Sequence, residues 1–267
     1  MTLTAPSIVA SLRGLLRHRE ASVLIMLLAI AVFLAFSNEY FLSSRNLLNV
    51  GRQASVVAIV ALGQALVIIA RGIDLSVGSL IGLSAVVAAV ALQATGLQSV
   101  GLVAGLMTGL ICGMANGLMV TRLRINPFIA TLGMLSVARG VALLVTGGIP
   151  ISFTGWAEFL GAGRIFEIPV SFILMLVLAF AIHVLASRHR LGREIYAIGD
   201  NPKAAKLAGI DLKRTRMFVF GLCGCLAGLG GVILAGNLAS ADPNLGMGYE
   251  LDVIAAVILG GTALNGG

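Results

Sequence analysis

Apolar residues fill this chain in long runs, at 21–37, 54–70, 76–93, 97–120, 127–146, 169–186, 217–238 and 253–264. A hydrocarbon core of about 30 Å takes roughly 17–25 residues of helix to cross. Seven of the runs, 17 to 24 residues long, meet that length, whereas the eighth is too short to span alone. The pattern predicts an all-α fold: a polytopic transmembrane bundle of about seven to eight membrane helices, forming a single domain over 1–267. Arg13, Arg17 and Arg19 precede the first run, as in a secretory signal. That run is longer than a usual signal core and no small-residue cleavage site follows, so it reads as the first membrane helix.

Within the runs, small residues recur with helical spacing. Gly101, Gly105, Gly109, Gly113 and Gly117 stand four residues apart, covering about 24 Å of helix at 1.5 Å per residue. Positions i and i+4 share a face, so the five form a groove in which a second helix backbone approaches closely. Gly78 and Gly82, and Gly224 and Gly228, repeat the spacing. The expectation is a tightly packed bundle.

Composition supports the membrane reading. Of the 267 residues, 58% are hydrophobic and 11% charged, against about 25% charged in ordinary soluble domains. The net charge of +7 is uneven: residues 187–216 hold eight Lys/Arg and three Asp/Glu, a net +5, leaving +2 for the rest. Such a block inside one loop reads as topology, and nucleic acid is not an expected partner. With the N-terminus inside, the inner connections 1–20, 71–75, 121–126 and 187–216 carry 14 Lys/Arg. The outer ones, 38–53, 94–96, 147–168 and 239–252, carry only Arg45, Arg52 and Arg164. That asymmetry sets a cytoplasmic N-terminus. The outer segment 147–168, with Trp156, reads either as an interfacial anchor or as a contact for an external partner. Cys112, Cys223 and Cys225 lie in apolar runs and read as packing residues, with no metal site expected.

A few polar residues interrupt the apolar runs. Arg139 falls about 12 residues into the 20-residue run 127–146, near the bilayer middle, where a charge costs ~2.5–3.5 kcal/mol. It either faces a bundle interior or snorkels outward. Between the second and third runs, Asp74 is placed to cap the following helix and to pair with Arg71, beside Ser76. This stretch is either a tight cytoplasmic turn or a helix break inside the membrane, of the kind that lines transporter pathways. Asp74, Ser76, Asn116, Asn126 and Arg139 are the candidate pathway residues.

No catalytic constellation is present. Nor is there a G-x-x-x-x-G-K loop closed by Ser or Thr, so any ATP energy has to come from another subunit. In the basic loop, Asn201 suits an N-cap, Pro202 the first helical position and Gly209 the residue past the end. The helix between them is about seven residues long, too short to stand alone in water. It packs either on a partner, through Ala204, Ala205, Leu207 and Ala208, or on the lipid surface.

Lys203-Ala204-Ala205-Lys206-Leu207-Ala208-Gly209 resembles the E-A-A-x-x-x-G coupling motif of ATP-binding-cassette permeases, with Lys203 in place of the usual acidic residue. The stretches 72–78, 127–133, 192–201 (with Gly192, Arg193 and Glu194) and 254–261 are similar to the ribose/xylose/arabinose/autoinducer-2 branch of the binding-protein-dependent permeases. The resemblance runs from about residue 40 onward. It implies a permease subunit of a small-sugar importer in the bacterial inner membrane, with the cytoplasmic coupling loop at about 187–216. Implied partners are a second permease subunit, a cytoplasmic ATPase holding ATP and Mg, an extracytoplasmic sugar-binding protein and membrane lipid. The chain itself is expected to bind no cofactor. Coupling to the ATPase is assigned to Gly192, Arg193, Glu194, Asn201, Pro202, Ala204, Ala205, Leu207 and Gly209, and Ala205→Glu is expected to abolish docking. Relatives in this branch continue for some fifty residues past the last stretch, so the sequence is expected to be a shortened copy. A branched-chain amino acid permease and a self-powered transporter or channel are the alternatives.

Overall fold

The computed structural model describes residues 19–263 and 266, and the side chains from residue 24 onward, Trp156 excepted. The proposed inner segment 1–18, the side chain of Trp156 and the end of the chain therefore lie outside the described residues. Helix α1 is Arg19–Ser37, followed by α2 (Ser44–Ile69), α3 (Val77–Thr95), α4 (Gln98–Thr121) and α5 (Pro127–Thr146). A folded connection then holds β1 (Ile151–Ser152), α6 (Trp156–Gly161), β2 (Arg164–Ile165) and β3 (Ile168–Pro169). The remainder is α7 (Val170–Arg188), α8 (Arg190–Asp200), α9 (Pro202–Leu207), α10 (Leu212–Leu238), β4 (Ser240–Ala241) and α11 (Tyr249–Leu259). Among the described residues six helices, α2–α5, α7 and α10, are long and apolar enough to cross a membrane. The described apolar part of α1, Leu24–Ser37, is shorter, so the count is near the expected seven to eight.

The core is α10, which packs against α2, α3, α4 and α6. All five glycines of α4 are buried. A methyl group at Gly109 would meet Gly224 O and, at 2.9 Å, Gly228 N; one at Gly113 would meet Phe220 O and, at 3.1 Å, the Gly224 Cα. The glycine rows of α4 and α10 thus face each other, and backbone touches backbone. Gly101 faces α3 instead, its would-be methyl 2.9 Å from Ala88 O. Around this core α1 exposes most of its described apolar side chains, and α7 buries only Val170 and Ser171, as helices facing acyl chains do.

Two connections differ from the sequence expectation. Outer segment 147–168 is folded: β1 pairs with β4 in register Ile151↔Ala241 and Ser152↔Ser240. Phe153 is buried there, and α6 seats on the end of α10 where Gly161 and Gly236 leave room for backbone. Segment 239–252 does not stay in an outer loop. It runs down α3, with Leu245 O and Pro243 O over Gly82 and the Glu250 carboxylate and Gly246 O over Gly78. Gly78 and Gly82 therefore admit a loop, not a helix. Helix α11 is 11 residues long and starts with Glu250 against Gly78 of α3, so the described part of the last apolar run is a short helix, a form common in transporters.

Candidate functional site

Helix α2 ends at Ala70, and Arg71 takes the left-handed region at φ 61° to turn the chain. Helix α3 starts six residues later, and the connection is tied to three helices. Asp74 Oδ1 accepts the Ser76 amide at 2.9 Å and the Ser76 hydroxyl at 2.6 Å. Asn116 of α4 donates to Asp74 Oδ2 at 3.3 Å and to Ser76 Oγ at 2.9 Å. Thr131 of α5 accepts the Leu75 amide at 3.1 Å and donates to the Ile73 carbonyl at 3.3 Å. Gln64 of α2, its amide oriented to match, clasps both the N–H and the C=O of Asp74 at 3.2 Å. Asp74, Ser76, Gln64, Asn116 and Thr131 are fully buried.

The connection is thus a turn on its Arg71 side and a break inside the bundle on its Asp74 side. The expected capping by Asp74 is not formed as such: Ser76 is the N-cap of α3, without a side-chain cap hydrogen bond, and Asp74 holds the Ser76 amide just ahead of the helix. Pairing with Arg71 is replaced by hydrogen bonds, because a carboxylate buried beside donors from α4 needs no cation from the surface to be satisfied. Gln64 and Thr131 complete the site. Neither stands out in its apolar run, and only the break itself gives them backbone groups to bind. Asn116→Ala leaves two buried oxygens short of a donor, so we expect a loss of about 1.5–3 kcal/mol. Thermal unfolding in detergent would register this as a clear drop in midpoint, with membrane insertion retained.

Freed from Asp74, Arg71 reaches across this end of the bundle. Its Nε donates to Gly199 O at 2.6 Å and its Nη2 to Asp200 O at 2.8 Å, the carbonyl end of α8, where a cation also meets the negative end of the helix dipole. Helix α8 was hidden in the basic loop: its inner face is Gly192, Ile195, Ile198 and Gly199, all buried. Glu194 anchors it, pairing with Arg190 at 2.8 Å and accepting the Thr215 hydroxyl of α10 at 3.1 Å. Gly192 permits α8 to fold back on α7, since a methyl there would strike the Leu185 and Ala186 carbonyls. Arg193 donates to Arg188 O at 3.2 Å. Gly192, Arg193 and Glu194 therefore shape the loop from within.

Helix α9 follows immediately. Asn201 caps it, accepting the Lys203 and Ala204 amides at 3.1 Å, Pro202 opens it, and Gly209 closes it at φ 82°. Ala205 points inward at 4% exposure, whereas Leu207 is 90% exposed and Ala204 and Ala208 are also exposed. The outward apolar face is therefore Ala204, Leu207 and Ala208. Ala205 belongs to the chain's own packing, because a helix of six residues must seat one side on its parent fold.

The other two pathway candidates lie elsewhere. Asn126 caps α5, accepting the Phe128 amide at 2.9 Å. Arg139 faces the bundle, not the lipid: it donates to Leu245 O at 3.0 Å and to Pro243 O. It therefore staples the descending segment to α5 and α3. Glu250, which opens the short helix, looked like an outer-loop residue because only Gly78 makes the descent possible.

Residues 46–267 match a family described as branched-chain amino acid transport system / permease component. Among curated proteins, the ribose import permease protein RbsC of Escherichia coli K12 is 41% identical over 256 residues, covering 93% of this chain and 78% of its own length. RbsC of Bacillus subtilis is 40% identical over 246 residues, with 90% and 76% covered. The galactose/methyl galactoside import permease protein MglC of E. coli is 36% identical over 270 residues, with 93% and 80% covered. No solved structure matches.

Proposed function

We propose a function from the premise that this chain belongs to the family of branched-chain amino acid transport system permease components. It is the membrane-spanning permease subunit of an ATP-binding-cassette importer, works with a binding protein, and leaves ATP hydrolysis to a separate ATPase subunit. The cargo we assign is a small sugar, ribose or a close relation. The carrying observation is identity near 40% over nine-tenths of the chain to permeases named for ribose, with the galactose permease somewhat further away. An amino acid cargo is disfavoured on the same ground.

The assembly we propose is a pair of permease subunits in the bacterial inner membrane, N-terminus cytoplasmic. ATP and Mg sit on the ATPase, and the ATPase seats on the outward face of α9. Movement of α9 reaches the bundle through two links. Glu194 ties α8 to α10, and Arg71 ties the end of α8 to the break that starts α3. The Asp74–Ser76–Asn116 tie would keep α3 in register during that movement, and the segment held by Arg139, with Glu250, would line the route.

Proteoliposomes holding the permease, its ATPase and its binding protein provide the test. We expect uptake of labelled ribose that requires both ATP and the binding protein and is not competed by leucine. Leucine uptake under the same conditions, or ribose uptake indifferent to ATP, would overturn the assignment.

A further inference from the structure

A cavity of about 630 Å³ lies at the inner end of the bundle, between the loop that joins α4 to α5 and the loop that joins α9 to α10. Arg124, Lys206, Lys213 and Arg216 line it. Among the described residues, none of these four cations has a carboxylate within ion-pair distance. The only acid in the lining, among the described residues, is Asp211, and its Oδ1 is committed to the Lys213 and Arg214 amides that begin α10. The cavity therefore carries four positive charges against one negative. Arg216 Nε is buried there without a hydrogen-bond partner among the described residues, a state that invites an acceptor.

A second hollow, of about 300 Å³, adjoins the first at Ile125, which lines both. It is floored by Met119, Ala130, Gly133 and Met134 and flanked by the exposed Ile129 and Val137 of α5. Gly133 has nothing within 4 Å of where a methyl would stand. A basic cavity thus shares a wall residue with an apolar groove along a membrane helix. From this juxtaposition we infer that the chain binds one anionic phospholipid, its phosphate headgroup among Arg124, Lys206, Lys213 and Arg216 and an acyl chain along α5. Basic pockets between membrane helices on the cytoplasmic side hold such headgroups, and the groove distinguishes a lipid from a free anion.

Native mass spectrometry of the full chain in detergent tests this, with phosphatidylglycerol and phosphatidylcholine of equal acyl length as probes. Phosphatidylglycerol should bind at least tenfold better. The double variant Arg124→Gln/Lys213→Gln should lose roughly 30-fold in affinity for it, at about fivefold per cation removed. Gly133→Leu, which fills the groove and leaves the charges, should weaken it as well. All three substitutions fall on exposed residues, and an unchanged melting midpoint confirms that the variants are folded. Equal binding of the two lipids, or an unaltered double variant, would overturn the inference. So would complete competition by millimolar inorganic phosphate, which would make this a free-anion site. Loss of ATPase recovery with lipid binding intact would assign the cavity to a protein interface.

Discussion

Leu207→Glu is expected to leave the permease folded in the membrane and to remove ATP-driven uptake. Leu207 is 90% exposed on a helix of six residues, and Ala204 and Ala208 extend the apolar patch beside it. A large apolar side chain held out from its own fold gains nothing from water. Seated in a groove of the ATPase it would be a central anchor, and truncating such anchors costs about 2 kcal/mol or more. A carboxylate there adds the penalty of an unpaired charge at a dry interface, so recovery of the ATPase with the permease should fall at least ~30-fold, 2 kcal/mol corresponding to that factor. Ala205→Glu should fail differently. Ala205 is buried in its own chain, so the charge would dislodge α9 and lower the permease's own melting midpoint. Co-purification and thermal unfolding, measured side by side, separate the two. Undiminished ATPase recovery with Leu207→Glu would remove α9 from the docking role.

These two variants also mark what could be read from sequence. The cap at Asn201, the opening at Pro202 and the close at Gly209 follow from local backbone chemistry, and each stands where expected. Which side of α9 turns inward is a tertiary fact, and a run of Ala and Leu does not carry it. The same division holds elsewhere. Asn116 meeting Asp74 joins two residues picked out as polar intruders, whereas Gln64 joins them only because the break leaves Asp74's backbone groups unpaired. Helix α8 escaped notice because its charges dominate the hydropathy of the loop, while its buried face rests on just Gly192, Ile195, Ile198 and Gly199. The descent of 239–252 looked like an outer loop for a related reason. Its Pro, Gly and acidic residues are those of a loop, and the space it fills is made by glycines far earlier in the chain, at Gly78 and Gly82.

Gly109→Val should be the most damaging single change in the bundle. The added carbons would fall on Gly224 O and Gly228 N of α10, both backbone atoms that cannot rotate away. Accommodation requires moving two membrane helices apart along a whole row of contacts. The cost should exceed the ~1–3 kcal/mol typical of overpacking in a core where side chains can yield. Gly113→Val should behave alike, since it meets Phe220 O. Gly101→Val should be milder, because its would-be methyl stands 2.9 Å from one carbonyl of α3, with the Leu92 side chain next at 3.2 Å. Gly140→Ala is the control: nothing lies within 4 Å of that methyl, and alanine favours the helix by up to about 1 kcal/mol. The monodisperse fraction on gel filtration after detergent extraction should rank Gly140→Ala with the unaltered protein, Gly101→Val below it, and Gly109→Val and Gly113→Val near zero. A lipid-facing glycine row would give four similar values, because acyl chains, unlike a peptide backbone, flow around an added methyl. The ranking therefore reads out directly whether the four-residue glycine period is a helix–helix contact.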